Sequence, residues 1–127
     1  MLGNSKLTAF VATTKPDAAR MFYETKLGLK FLRDDGFALV FDANGTTLRV
    51  AKVQKFTPAP FTVLGWQVDS MDDALAGLAR NDITVERYPF LEHDRRGVVT
   101  FGTGDQVAWF RDPDGNTLSV AEMSGKA

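Results

Sequence analysis

The sequence contains no cysteine, so disulfides, thiol nucleophiles and thiolate metal sites are excluded. Charge of one sign is also missing: the formal net charge is -1 at pH 7. With no basic surplus to engage a phosphate backbone, nucleic acid is not an expected partner. No apolar run approaches the length of a membrane span, so no membrane association is expected. The first residues, MLGNSKLTAF, lack a basic stretch followed by a long apolar one, and no secretory leader is expected there. Together with the missing cysteines this points to a cytoplasmic location. No phosphate-binding loop, zinc-ligand spacing or serine–histidine–acid order is present. What remains is an ordinary globular composition, 44% hydrophobic and 24% charged over 127 residues, enough for one domain or two half-domains.

The main positive feature is an internal repeat. Residues 42 to 53 read DANGTTLRVAKV and residues 112 to 123 read DPDGNTLSVAEM. At an offset of 70 they match at Asp42/Asp112, Gly45/Gly115, Thr47/Thr117, Leu48/Leu118, Val50/Val120 and Ala51/Ala121. Such a repeat predicts two copies of one small module, with equivalent positions placed around a shared cleft.

Leu7 to Thr14 is β-branched and apolar and reads as a strand. Pro16 and Asp17 suit a first helical turn, and Ala18, Ala19, Met21, Phe22 and Leu27 give an amphipathic helix stopped by Gly28. Lys30 to Arg33 reads as a short strand. Phe37 to Phe41 and Thr46 to Val53 read as a hairpin about Ala43-Asn44-Gly45. Residues 55–60 contain two prolines and read as a linker between modules of about 5–54 and 61–123. The pattern then restarts. Thr62 to Val68 is a strand, and Asp69 or Ser70 caps a helix to about Arg80. Further strands are expected at Val85 to Tyr88, Val98 to Phe101, Gln106 to Arg111 and Thr117 to Met123. The early parts of the copies align at an offset of 55, so the second copy carries 15 extra residues, roughly 90–105. The fold class that follows is α+β, a single 127-residue domain of two βαβββ modules whose curved, mainly antiparallel sheets surround a cleft.

The Phe22-Tyr23 and Leu27-Gly28 pairs on the first helix, FRDPDGNTLSV from Phe110 to Val120, and the repeat together resemble the vicinal oxygen chelate superfamily. That group includes glyoxalase I, extradiol dioxygenases, and fosfomycin- and bleomycin-resistance proteins. In its metal-dependent members the resemblance implies ligands at four symmetry-related strand positions. Carried onto this sequence they fall on Thr8, Arg49, Val63 and Ser119. None is an ordinary ligand for a catalytic divalent metal, and Arg49 is a permanent cation that would repel one. The expectation is therefore no metal and no cofactor, with glyoxalase I and extradiol dioxygenase activity both absent.

Strand alternation assigns the cleft face. Placing Arg111 away from a buried helix puts Ala38, Val40, Ala108 and Phe110 on the helix side. Phe37, Leu39, Phe41, Val107, Trp109 and Arg111 then fall on the other face, with Thr47, Arg49, Ala51, Thr117, Ser119 and Ala121. Thr8, Phe10 and Ala12 come from the first strand, and Val63, Gly65 and Gln67 from its counterpart. The expected ligand-binding set is Arg49, Trp109, Phe41, Phe37, Phe10, Gln67, Ser119 and Thr8. Arg49 reads equally as an anchor for an anionic ligand or as the partner of a nearby acid. Trp109 and Phe41 read as stacking platforms or as plain sheet packing. His93, the only histidine, reads as a solvated residue in a charged, mobile insert, LEHDRRG, or as a general base.

The function these residues suggest is metal-independent binding of a compact aromatic or anionic small molecule, by sequestration or sensing. The other class is a metal-free isomerase or lyase in which Arg49 stabilises an oxyanion; His93 or an acid within hydrogen-bond reach of Arg49 would favour it. Exposed sheet edges and an apolar face also lead us to expect a homodimer.

Overall fold

The computed structural model describes residues 1–125. The chain divides into two compact units, Met1–Pro58 and Ala59–Ala127, the boundary falling inside the proline-containing segment.

In the first unit, β1 (Thr8–Thr13) leads through α1 (Pro16–Arg20) to β2 (Lys30–Asp34), β3 (Ala38–Ala43) and β4 (Thr46–Lys52). The sheet order is β1-β4-β3-β2, with β1 parallel to β4 and the other pairs antiparallel. The expected single α-helix is only partly so. After Arg20 it widens into a π-helix over Met21–Lys26, and the Leu27 N–H donates to the Phe22 carbonyl five residues back. Both neighbouring rings of this segment, Phe22 and Tyr23, are buried and meet edge to face at 5.1 Å. Gly28, at φ +77°, ends the segment. The β3–β4 turn places Asn44 and Gly45 at φ 53° and 97°, the two positive values that a tight hairpin matching strand twist requires. Asp42 Oδ1 accepts the Gly45 N–H at 2.7 Å.

The second unit repeats the plan with β5 (Thr62–Gln67), α2 (Met71–Arg80), β6 (Val99–Thr100), β7 (Gln106–Arg111) and β8 (Thr117–Glu122), in sheet order β5-β8-β7-β6. Again one pair, β5 with β8, is parallel. Ser70 caps α2, accepting the Asp73 N–H at 3.2 Å. Glu122 closes the same helix end from β8, its Oε1 accepting the Met71 N–H at 2.7 Å. That carboxylate neutralises a helix-terminal donor and favours the helix dipole. Trp66 stacks on Phe110 at 6.4 Å on the helix side. Among the described residues no helix is long and apolar enough to cross a membrane.

One expected strand is absent. Val85 to Tyr88 contributes only an isolated bridge, Glu86 to Trp109. The outer edge of β7 has room for little more, because β6, from the extra segment, already pairs with Gln106 and Val107.

The register also corrects the faces of β3. Phe41 lies opposite Leu48, and Val40 opposite Arg49. Residues paired across a ladder share a face. Val40 and Ala38 therefore lie on the Arg49 face, whereas Leu39 and Phe41 face the helix. Phe41 is fully buried, with Tyr23 and Phe31 at centroid distances of 5.9 and 5.5 Å. The cause is loop length. Six residues separate Phe41 from its partner Leu48, but seven separate Phe110 from its partner Leu118. The offset of 70 that aligns β4 with β8 thus drops to 69 between β3 and β7. A shift of one residue turns every side chain to the opposite face.

Candidate functional site

The first unit's site is built on β4. Arg49 stands in register with Phe10 on β1 and Val40 on β3, so all three share the face turned away from the helix. Phe10 is exposed and Val40 is buried. Thr8, two residues before Phe10, lies on the same face at the exposed start of β1, opposite Thr47 rather than Arg49.

Arg49 does have an acid partner. Its Nη2 donates to Asp35 Oδ2 at 2.7 Å, with both side chains about three-quarters buried (25% and 28% exposed). Asp35 is itself fixed, because Oδ1 accepts the N–H groups of Phe37 and Ala38 at 3.0 and 2.9 Å. The Arg49 hydrogen bond, followed by these two N–H groups, pulls the Asp35 carboxyl down from 3.8 to about 2. The guanidinium is therefore held in place by one of its nitrogens, while its other N–H groups have no further protein partner among the described residues. Phe37 enters through its backbone; its ring lies just before β3 and is 79% exposed. Asp35 was not among the sequence candidates. The available signal was its place in Asp34-Asp35-Gly36, where an aspartate folds back on nearby N–H groups.

In the second unit the equivalent of Arg49 is Ser119, opposite Gly65 on β5 and Trp109 on β7. Gln67 lies on the same face at the end of β5, opposite Ala121. A Cβ on Gly65 would come within 2.9 Å of Ser119 Oγ, so glycine is what makes room for the buried hydroxyl. Trp109 is locked: Nε1 donates to Thr62 Oγ1 at 3.0 Å, and Tyr88, His93 and Phe101 meet its ring nearly edge-on at 5.6, 6.2 and 6.5 Å.

His93 is not a solvated loop residue. Its Nε2 accepts the Tyr88 N–H at 2.9 Å and its Nδ1 lies 2.7 Å from the Gly97 carbonyl, an arrangement satisfied by the Nδ1–H tautomer. Neither nitrogen is then available to move a proton. The surrounding insert is also well tied. Asp94 Oδ1 accepts the N–H groups of Arg96 and Val98, and Arg96 bridges Asp94 and Asp72 at 2.9 and 2.7 Å. Arg111 pairs with Glu86 at 3.2 Å and is half exposed. Beside His93 an open pocket of about 600 Å³ is lined by Arg87, Tyr88, Pro89, Leu91, Glu92 and His93.

In neither unit do the positions onto which the resemblance carries metal ligands, Thr8 and Arg49 in the first and Val63 and Ser119 in the second, fit such an ion. They offer two hydroxyls, a valine and a guanidinium, and the ladder neighbours Phe10 and Gly65 add no donor. Among the described residues no group of three or more His, Asp or Glu side chains comes together.

Solved structures share this fold at low identity. A glyoxalase/bleomycin resistance protein/dioxygenase superfamily member from Sphaerobacter thermophilus superposes with a TM-score of 0.75 at 18% identity, covering 96% of this chain and 99% of that one. A lactoylglutathione lyase from Agrobacterium tumefaciens gives 0.71 at 20% identity over 94% and 95%. A glyoxalase family protein from Enterococcus faecalis gives 0.67 at 22% identity over 96% and 100%. No curated protein matches the chain. The family model for the Glyoxalase/Bleomycin resistance protein/Dioxygenase superfamily matches residues 7–120, and the chain belongs to that superfamily.

Proposed function

We propose that this protein is a metal-independent binder of a compact aromatic or anionic small molecule, acting by sequestration or sensing. The observation that carries the reading is Arg49: a cation replaces a metal ligand, is fixed by Asp35 at 2.7 Å, and lies beside the exposed ring of Phe10. A preset guanidinium gives up less freedom on binding a carboxylate or phosphate than a free one. Thr8 flanks this face, whereas alternation puts Phe37 with Leu39 and Phe41 on the opposite one, so Phe37 joins the site only through its backbone N–H. Trp109, Gln67 and Ser119 offer an aromatic ring, an amide and a hydroxyl on the equivalent face of the second sheet.

The alternative, a metal-free isomerase or lyase, gains one observation, since an acid does reach Arg49. The chemistry opposes it. A carboxyl near 2 is a weak base at neutral pH, and the His93 nitrogens are occupied. Binding is therefore the better-supported reading.

The test uses metal-stripped protein titrated with benzoate, phenyl phosphate and benzylamine. The reading expects saturable binding of the two anions and not of the amine. Preference for benzylamine, or anion binding only after zinc, nickel, iron or manganese is restored, would reject it. We also propose a homodimer that covers sheet edges; light scattering that shows only monomer across micromolar concentrations would reject that.

A further inference from the structure

The open pocket beside His93 lies wholly within the second unit and is absorbed by none of the roles above. It is a shallow depression of about 600 Å³ that opens broadly to solvent, so a small molecule would lie against its wall rather than be enclosed. Its walls are of two kinds. Tyr88, Pro89, Leu91 and the His93 ring are apolar or aromatic, and Tyr88 and His93 are stacked obliquely at 6.1 Å with Trp109 behind both. The lining also carries opposite charges, the exposed Arg87 and Glu92. Arg87 is positioned by its Nη2 bond to the Arg95 carbonyl at 2.8 Å, and its remaining donors have no further partner among the described residues. Glu92 has no ion-pair partner among the described residues. His93 holds the pocket's shape by joining Tyr88 to Gly97, so it presents a ring face rather than a free nitrogen.

We propose that this pocket is a second binding site, for an aromatic zwitterion. The ring lies against Tyr88 and His93, a carboxylate meets Arg87, and an ammonium meets Glu92. Arg87 and Glu92 are exposed, so each ion pair contributes modestly, and the ring supplies the rest. The site does not depend on the Arg49 reading.

The test is amide NMR of the full chain, titrated with L-tryptophan, tryptamine, indole-3-acetate and glycine. L-tryptophan should saturate shifts at residues 87–93, bind tighter than tryptamine or indole-3-acetate, and outcompete glycine entirely. Arg87→Ala should weaken tryptophan and indole-3-acetate about twofold to fivefold and leave tryptamine alone. Glu92→Gln should do the reverse, weakening tryptophan and tryptamine only. Saturation is read from the shifts of residues 87–93 alone, which separates this site from any binding at Arg49. Both pocket variants alter exposed side chains, and an unchanged spectrum elsewhere certifies their fold. The proposal is overturned by no saturable shift at residues 87–93, or by a tryptophan affinity at those residues that ignores either charge variant.

Discussion

Arg49 and Ser119 occupy the same position in the two units, at the centre of the sheet strand that pairs parallel with the first strand. One unit keeps a long cation there, pinned by an acid from a turn. The other keeps a short hydroxyl, buried against a glycine. The backbone frame is the same, with sheet orders β1-β4-β3-β2 and β5-β8-β7-β6. The difference teaches that the repeat keeps the helix-side packing and, on the opposite face, Thr47/Thr117 and Ala51/Ala121, while the central position alone takes up different chemistry. Leu48 and Val50 match Leu118 and Val120 as buried core on one face. Their alternating neighbours, Arg49 and Ser119, share nothing but position.

The largest effect should come from the helix side. Phe41 is fully buried between Tyr23 and Phe31, so Phe41→Ala should cost about 3 to 5 kcal/mol in chemical denaturation. Phe37→Ala, four residues earlier and exposed, should stay within about 0.5 kcal/mol. Equal losses would mean that Phe41 is not a buried core ring. In the second unit, Gly65→Ala should destabilise by about 1 kcal/mol, because its Cβ meets Ser119 Oγ at 2.9 Å. Adding Ser119→Ala removes that oxygen and should recover most of the loss. A double variant no better than the single would place the crowding elsewhere.

The third contrast concerns pH. Asp35 has its folded-state value lowered from 3.8 to about 2, chiefly by Arg49. A depressed carboxyl contributes stability that is fully present above the unfolded value and lost as pH falls through the folded one. The wild type should therefore lose this contribution between about pH 4 and pH 2. Asp35→Asn should show a smaller drop in melting temperature across that window. Parallel acid titrations of the two proteins would refute the fixed ion pair.

The sequence reading succeeds where a strong local pattern coincides with tertiary demand. The Asn44-Gly45 turn, the Ser70 cap and the paired β4 and β8 segments all lie where alternation and turn chemistry put them. It fails at β3 because one extra residue in the loop after β7 is invisible to an alignment anchored on Asp42 and Asp112, which both cap their turns. Arg111 then set the face of β7 correctly, and the repeat carried that choice to the wrong face of β3. The π-helix is missed for a related reason: periodicity finds an apolar stripe but does not reveal a change of pitch inside it. Of the candidate site, Arg49 was legible as an anomaly, a cation where alternation expects an interior-facing side chain. Its partner was not, because Asp35 lies 14 positions earlier in the sequence and only the fold joins them. His93 was read as solvated because its partners are a backbone N–H and a carbonyl, which no sequence pattern displays.

The most direct test of the central claim is isothermal titration of benzoate into metal-stripped wild type, Arg49→Ala and Arg49→Lys, with thermal melts alongside. A charge-assisted contact to a mostly buried guanidinium is worth roughly 1.5 kcal/mol or more, so the alanine variant should bind about tenfold more weakly. The lysine variant should recover only part of that, because an ammonium cannot present the two-donor fork. A folded Arg49→Ala protein that binds benzoate as tightly as the wild type would contradict the account and leave Arg49 as the structural partner of Asp35 alone.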